Sequence, residues 1–314
     1  MIKKKISCIL PVKGHKKFLS ASIESILRQS YKNFELIILD NGNKQDVKKI
    51  INYYKKKDNR IKTVSLRNLN LSQLINYGIK ISKGYFIARQ DSDDVSHTER
   101  FKYQINWFNK KNKILCGTNS FIIDSSGKIK GKVNNPENHK KILNQMDFRN
   151  PFIHSSVMLK KSILKGTNKY DKYFKYSQDF DLWTKLCNIG ITGNLKKRLH
   201  FLRLHDNSIS VRKKEEQRKY FVLSAAKHII KKKLKRDIIF SKKIDLELQN
   251  LKVTFGQIHE IDLLKFLYIR EPYDKNFIRI KDLNLTLLIK KLHNFFVLKT
   301  TFMNISKRLL YSIL

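Results

Sequence analysis

The chain has 314 residues, room for one large domain or one domain with a substantial appendage. It is 41% hydrophobic and 11% aromatic, which excludes a wholly disordered chain. The formal net charge of +40 invites a nucleic-acid reading, but residues 211–314 hold only 24 of the 66 basic and 10 of the 26 acidic side chains, so the surplus is diffuse and marks no single binding stripe.

Ile6–Val12 is a short apolar run, as expected of a strand buried on both faces. It is too short for a signal-peptide core, and no small-residue cleavage site follows it. Phe18–Gln29 places Leu19, Ile23, Ile26 and Leu27 on one helical face. Phe34–Leu39 is apolar and β-branched again and stops at the turn signal Asp40-Asn41-Gly42. Val47–Tyr54 reads as a helix, Ile61–Leu66 as a strand, and Leu71–Ile81 as a helix closed by Gly84. Tyr85–Ala88 is a fourth strand that runs into Asp91-Ser92-Asp93-Asp94. The order βαβαβαβ predicts an α/β fold, a mostly parallel sheet with helices on both faces. Ligands of such sheets sit outside the carboxyl ends of the strands, so Asp40 and Asp91–Asp94 are expected to line one crevice.

From about residue 114 the pattern changes. Ile114–Cys116 and Ser120–Ile123 read as strands, and Ser125–Lys128 as a hairpin turn. Residues 133–150 are polar with a short helix at Lys140–Met146; Val157–Leu159 reads as a strand and Asp179–Cys187 as a helix with Phe180, Trp183 and Leu186 inward. After Ser210 the chain turns basic and helical, which sets the expected domains at 1–212 and 213–314. The last thirty residues interleave Leu292, Phe295, Phe296 and Leu309 with Lys290, Lys299 and Lys307. Such amphipathic helices suit an anionic membrane surface, or packing on the catalytic domain or against a second copy of the chain, as a homo-oligomer. No uncharged apolar run is long enough to span a bilayer. The expected location is therefore cytoplasmic, peripheral on the inner face of the plasma membrane. Cys8, Cys116 and Cys187 stand far apart without a CxxC spacing and read as buried free thiols.

The chemistry concentrates in Asp91–Asp94. Three carboxylates in four residues repel one another unless a cation sits among them. A hard divalent ion, held by one or two carboxylates and completed by phosphate oxygens, suits the pattern. The other reading is a solvated acidic turn that caps the next helix; for Asp94 the alternative is capping of the helix near Thr98, and it is left outside the core site.

Context brings a resemblance. Ile6–Val12, Glu24–Tyr31, Phe34–Asp40, Gly84–Asp94, Glu99-Arg100, Asn150–Met158, Gln178–Trp183 and His205–Ser210 occur in the order of the family 2 glycosyltransferases. The chain resembles that family over roughly residues 5–212. The resemblance implies a GT-A fold with a Rossmann-like nucleotide-binding sheet, and a glycosyltransferase of bacterial lipopolysaccharide or capsule synthesis. It implies a nucleotide-sugar donor, most simply a UDP-sugar, and a glycan or lipid-linked acceptor. It places Pro11, Val12, Asp40, Asn41, Asp91 and Ser92 on the donor nucleotide, with Asn41 standing where many members have a second Asp. Asp93 becomes the ligand of a Mn2+ or Mg2+ ion on the diphosphate, with His205 as its companion. Asp179 becomes the catalytic base of an inverting reaction, with Gln178 in place of the usual Glu; Asp181 is structural. His154 is expected to make structural hydrogen bonds, Trp183 to be core, and Arg67 and Asn68 to lie in a solvated loop.

Two rivals stay open: a nucleotidyltransferase acting on a sugar phosphate, and a non-catalytic nucleic-acid-binding protein. Against the second stand the acidic strand ends and the absence of a basic-aromatic stripe or zinc spacing, so no specific nucleic acid is expected. A phosphatase is disfavoured, because its nucleophile belongs after the first strand.

Overall fold

The structure is a computed structural model that describes residues 4–224, apart from 15, 147–148, 168, 173, 207, 214–215, 218–219 and 222–223. The basic amphipathic stretch expected near the C-terminus lies outside the described residues. Strands β1 (Ile6–Val12), β2 (Phe34–Asn41), β3 (Ile61–Leu66) and β4 (Phe86–Arg89) alternate with helices α1 (Lys16–Leu27), α2 (Gln45–Lys57) and α3 (Leu71–Ile81). The strands pair in parallel in the order β3-β2-β1-β4.

Every residue of β1 and β2 is buried, and the period of two divides them between two cores. Ile9, Ile37 and Leu39 meet Leu74, Ile75 and Ile79 of α3 on one face. Cys8, Leu10, Leu36 and Ile38 meet Leu19 and Ile23 of α1 and Val47 and Ile51 of α2 on the other. This double burial is why the two strands read as unbroken apolar runs. Helix α3 starts in a capping box, with the Asn70 side chain accepting from the Gln73 N–H and the Gln73 side chain accepting from the Asn70 N–H. It lies tight on the sheet at Gly78, where a Cβ would sit 2.9 Å from both Ile9 Cγ2 and Leu39 Cδ1.

Register decides where the ends fall. Val12 pairs with Asp40 and Ile9 with Arg89, so β1, β2 and β4 finish at one edge of the sheet. The remaining strands and longer helices are β5 (Val95–Ser96), α4 (Arg100–Trp107), β6 (Lys113–Ile123), β7 (Ile129–Val133), α5 (His139–Met146), β8 (Met158–Lys160), α6 (Gln178–Leu186) and β9 (Ile191–Arg203). Here the sheet becomes mixed. Strand β8 is antiparallel to β4 and to β6, β9 is parallel to β6, and β5 and β7 add antiparallel to β9 and β6.

Two elements differ from the sequence expectation. The separate strands around residues 114–116 and 120–123 are one strand, β6, which passes through Gly117-Thr118-Asn119 with register shifts against β9. The long β9 has no apolar signature, because Lys196, Lys197 and Arg198 interrupt it; pairing with β6 holds it in place. The expected residues 140–146 helix is α5. Trp183 is fully buried, and Tyr220 and Phe221 pack on Phe174 and Phe180, within a compact unit that runs Met1–Ala225. The three cysteines are free and buried, with Cys8 and Cys187 pushed up to about 11 and 12 by burial. Among the described residues no helix is long and apolar enough to cross a membrane.

Candidate active site

The carboxyl edge of β1 and β2 is stapled by a residue that the sequence reading passed over. Asn43 donates from its amide nitrogen to the Val12 carbonyl at 2.8 Å and to Asp40 Oδ1 at 2.7 Å, and its oxygen accepts from the Gly14 N–H at 2.6 Å. Asp40 Oδ1 also accepts the Asn43 backbone N–H at 3.0 Å. Asn41 is turned to the next loop: its amide donates to the Leu69 carbonyl at 2.8 Å and accepts the Leu69 N–H at 3.3 Å. Pro11 and Val12 are buried at this edge.

The acidic turn after β4 sorts by alternation. Asp91, Asp93 and Val95 are half-buried, whereas Ser92, Asp94 and Ser96 are buried between them. The Asp91 carbonyl accepts from Ser22 Oγ of α1 at 2.7 Å, which fixes the turn against the first helix. Beneath Asp91 lies Arg89, which is 1% exposed. Its Nη1 donates to the carbonyls of Ile9 at 3.0 Å and Gln90 at 2.8 Å, its Nε to His154 Nε2 at 3.2 Å, and its Nη2 to Asp91 Oδ1. Burial pushes the Asp91 carboxyl up, but the guanidinium outweighs it and holds the group below the usual carboxylate range. His154 is pushed down to about 3 by burial and by Arg89, so it stays neutral and accepts; Tyr170 Oη lies 2.9 Å from the same nitrogen. The expected structural role of His154 is the one it plays.

Asp93 and His205 meet. His205 Nε2 lies 3.1 Å from Asp93 Oδ2, and the imidazole packs on Phe18 with 4.9 Å between ring centroids. Arg203, at the end of β9, donates from Nε to the Asp93 carbonyl at 2.8 Å and from Nη1 to the Asp124 carbonyl at 2.7 Å, with its guanidinium 4.5 Å above the Phe18 ring. Asp94 does not cap α4. That helix begins at Arg100, whose N–H goes to the His97 carbonyl, while the Asp94 carboxylate accepts from Ser155 Oγ and the Arg203 N–H.

Asp179 opens α6. Its Oδ2 accepts from Asn150 Nδ2 at 2.7 Å. Burial pushes its carboxyl above the usual range, the Phe180 N–H and Asn150 oppose this, and the negative charge of Asp91 adds to the rise. Asp91 and Asp179 also both raise Tyr170, so the three groups share one electrostatic neighbourhood. Asp181, two residues on, is buried and pairs with Lys185 Nζ at 2.5 Å, the structural role expected of it.

As a cation site, Asp93 and His205 offer one hard oxygen and one imidazole nitrogen close together. Among the described residues no group of three or more His, Cys, Asp or Glu side chains converges. Two protein donors, with the other positions left to phosphate oxygens and water, fit a Mg2+ or Mn2+ ion that arrives with a diphosphate.

The family model described as Glycosyl transferase family 2 matches residues 7–166, which take in β1 to β8 and the acidic turn. The chain belongs to glycosyl transferase family 2. The O-antigen biosynthesis glycosyltransferase WbnJ of Escherichia coli is 35% identical over 207 residues, 65% of this chain and 81% of WbnJ. Among solved structures, S. aureus TarS in complex with UDP-GlcNAc aligns at TM-score 0.58 and 16% identity, over 78% of this chain and 70% of that one. The mannosyltransferase PcManGT from Pyrobaculum calidifontis, in complex with GDP-Man and Mn2+, aligns at TM-score 0.54 and 9% identity, over 84% and 70%. These two likenesses show the GT-A fold. Membership makes the protein a glycosyltransferase and answers both rival readings.

The structure therefore gathers Asp40, Asn41, Asp91, Ser92, Asp93 and His205 along one edge, and Asp179 opens α6 with its carboxylate held by Asn150. Arg89, Asn43, Asn150 and Tyr170 complete it. Arg89 and Asn150 lie within motifs of the resemblance but were given no role there, and Asn43 extends the turn signal Asp40-Asn41-Gly42.

Proposed function

We propose that this family 2 glycosyltransferase moves a sugar from a UDP-sugar to a hydroxyl of a glycan or lipid-linked acceptor, with inversion at the anomeric carbon, during synthesis of a bacterial surface polysaccharide. The observation that carries this reading is the Asp93–His205 pair beside Asp91, at the edge of the sheet where β1, β2 and β4 end. The relationship to WbnJ supports the polysaccharide setting, and the UDP-GlcNAc bound by TarS supports the donor class.

In this reading Asp40 and Asn41 receive the base, and Asp91, held by Arg89, receives the ribose. Asp93 Oδ2 and His205 Nε2 would hold a Mn2+ or Mg2+ ion, which would supply positive charge against the negative charge that develops on the diphosphate. Asp179 takes the proton from the acceptor hydroxyl as the oxygen bonds to the anomeric carbon. The bond from that carbon to the phosphate oxygen breaks, and the nucleoside diphosphate leaves with the bonding pair. Its raised carboxyl is a stronger base than an ordinary Asp, and Asn150 aims it. The enzyme works at the cytoplasmic face of the plasma membrane, where a lipid-linked acceptor is presented.

A panel of nucleotide sugars incubated with Mn2+ or Mg2+ tests the reading. Release of free UDP from one UDP-sugar supports it. Release of pyrophosphate, or turnover of no UDP-sugar while another nucleotide sugar is consumed, counts against it.

A further inference from the structure

We propose that Asp94 is a positioning residue that assembles the cation site: its buried carboxylate ties the end of β9 to the acidic turn and so sets His205 against Asp93. The inference rests on the reading of Asp93 and His205 as cation ligands.

Those two side chains come from segments 112 residues apart in sequence, which the pairing of β5 with β9 joins as far as Phe201, so what remains to be fixed is the stretch from Leu202 to His205. Strand β9 ends at Arg203, and the Leu204 N–H makes a last bond to the Ile123 carbonyl at 2.9 Å before the chain leaves the sheet. His205 therefore stands where the sheet no longer holds the backbone. Two bonds tie that departure point to the acidic turn. The Arg203 N–H donates to Asp94 Oδ1 at 2.8 Å, and Arg203 Nε donates to the Asp93 carbonyl at 2.8 Å. Asp94 Oδ2 is held in turn by Ser155 Oγ, with His200 Nε2 at 3.4 Å, so both carboxylate oxygens are engaged. Beyond this anchor the loop closes on itself: the Ser208 N–H donates to the His205 carbonyl at 2.8 Å, and the His205 N–H to Ser208 Oγ at 3.2 Å.

Asp94 itself is 2% exposed and alternates away from Asp91 and Asp93. It faces the sheet interior, not the crevice, so its effect on a cation passes through Arg203 and His205. Burying a carboxylate is costly unless hydrogen bonds replace its water, and here one of those bonds grips the backbone two residues before a ligand. Groups that orient metal ligands from behind change metal affinity by about 10–100-fold when removed.

The test measures Mn2+ binding in the presence of UDP by electron paramagnetic resonance, on the full chain, with the melting temperature followed in parallel. Asp94→Ser keeps a polar group in the buried site but is too short to reach the Arg203 N–H; it is expected to weaken Mn2+ binding by about tenfold or more. Asp94→Asn keeps an acceptor oxygen there and is expected to bind close to wild type. A purely structural Asp94 would lower the melting temperature of Asp94→Ser and leave Mn2+ affinity intact, which would overturn the inference. So would an Asp94→Asn variant as weak as Asp94→Ser. Where Asp94→Ser does not fold, Ser155→Ala decides in its place: weaker Mn2+ binding supports the inference and unchanged binding overturns it. If Asp93→Ala and His205→Ala leave Mn2+ binding unchanged, the cation-site reading falls and this inference with it. If those two weaken it and Asp94→Ser does not, the inference alone falls.

Discussion

Replacing Asp179 with Asn separates the base from the helix cap in one variant. As a general base, the carboxylate contributes about 10²–10⁴ to the rate, so kcat should fall by that factor, about 3–5 kcal/mol of transition-state stabilisation. The fold should not suffer. Asn150 Nδ2 sits 2.7 Å from Oδ2 and can turn to the amide oxygen that remains. Burial raises the Asp179 carboxyl, so the folded state binds its proton more tightly than the unfolded state does. Such a group stabilises the fold less once pH has risen through its folded pKa than it does below the unfolded value. Removing the charge should therefore hold or raise the melting temperature at neutral pH, and the difference should disappear in acid. The wild-type kcat should fall on the acid side at a pH above the ordinary carboxylate range, and the residual rate of Asp179→Asn should lack that limb. The assay is UDP release against pH, with thermal unfolding of both proteins at pH 7 and in acid. A variant that keeps near-wild-type kcat but melts lower would refute the reasoning, because that is the behaviour of a capping carboxylate.

Other substitutions probe the supports of the site. Arg89→Met should cost about 1–3 kcal/mol in urea unfolding, mostly from the stranded Gln90 carbonyl, since the Ile9 carbonyl keeps the Gln90 N–H and Asp91 is 36% exposed and can rehydrate. It should also raise the donor KM as Asp91 loses its anchor. Gly78→Val forces atoms into a gap where even a Cβ meets Ile9 and Leu39 at 2.9 Å, and should lower stability by about 1–3 kcal/mol without changing the donor KM. Asn70→Ala opens the capping box of α3 and should cost about 1 kcal/mol, read from the urea midpoint.

The first half of the fold was legible because burial on both faces of a parallel sheet leaves an unbroken apolar run, as in Ile6–Val12 and Phe34–Leu39. The turns that close such strands carried the acidic residues, so the crevice followed from topology before any side chain was placed. Strand β9 was not legible, because its partner β6 and not its own pattern decides its conformation, and three consecutive basic residues mask the alternation. The supporting residues were hidden for another reason. Arg89 sits inside a recognised motif, yet in a chain with 66 basic residues its composition does not show that its charge is buried beneath Asp91. Asp94 was left outside the core site, with capping as its alternative, because adjacency to a helix is visible in one dimension, whereas the Ser155 and Arg203 partners are distant in sequence.

The most direct measurement is anomalous scattering from Mn2+ in crystals of the protein grown with UDP. The expected result is a single strong peak bonded to Asp93 Oδ2, His205 Nε2 and both phosphates of the nucleotide, with the uracil at Asp40. A nucleotide bound away from the carboxyl edge of β1 and β2, or a manganese peak that touches neither Asp93 nor His205, would contradict the placement of the donor site.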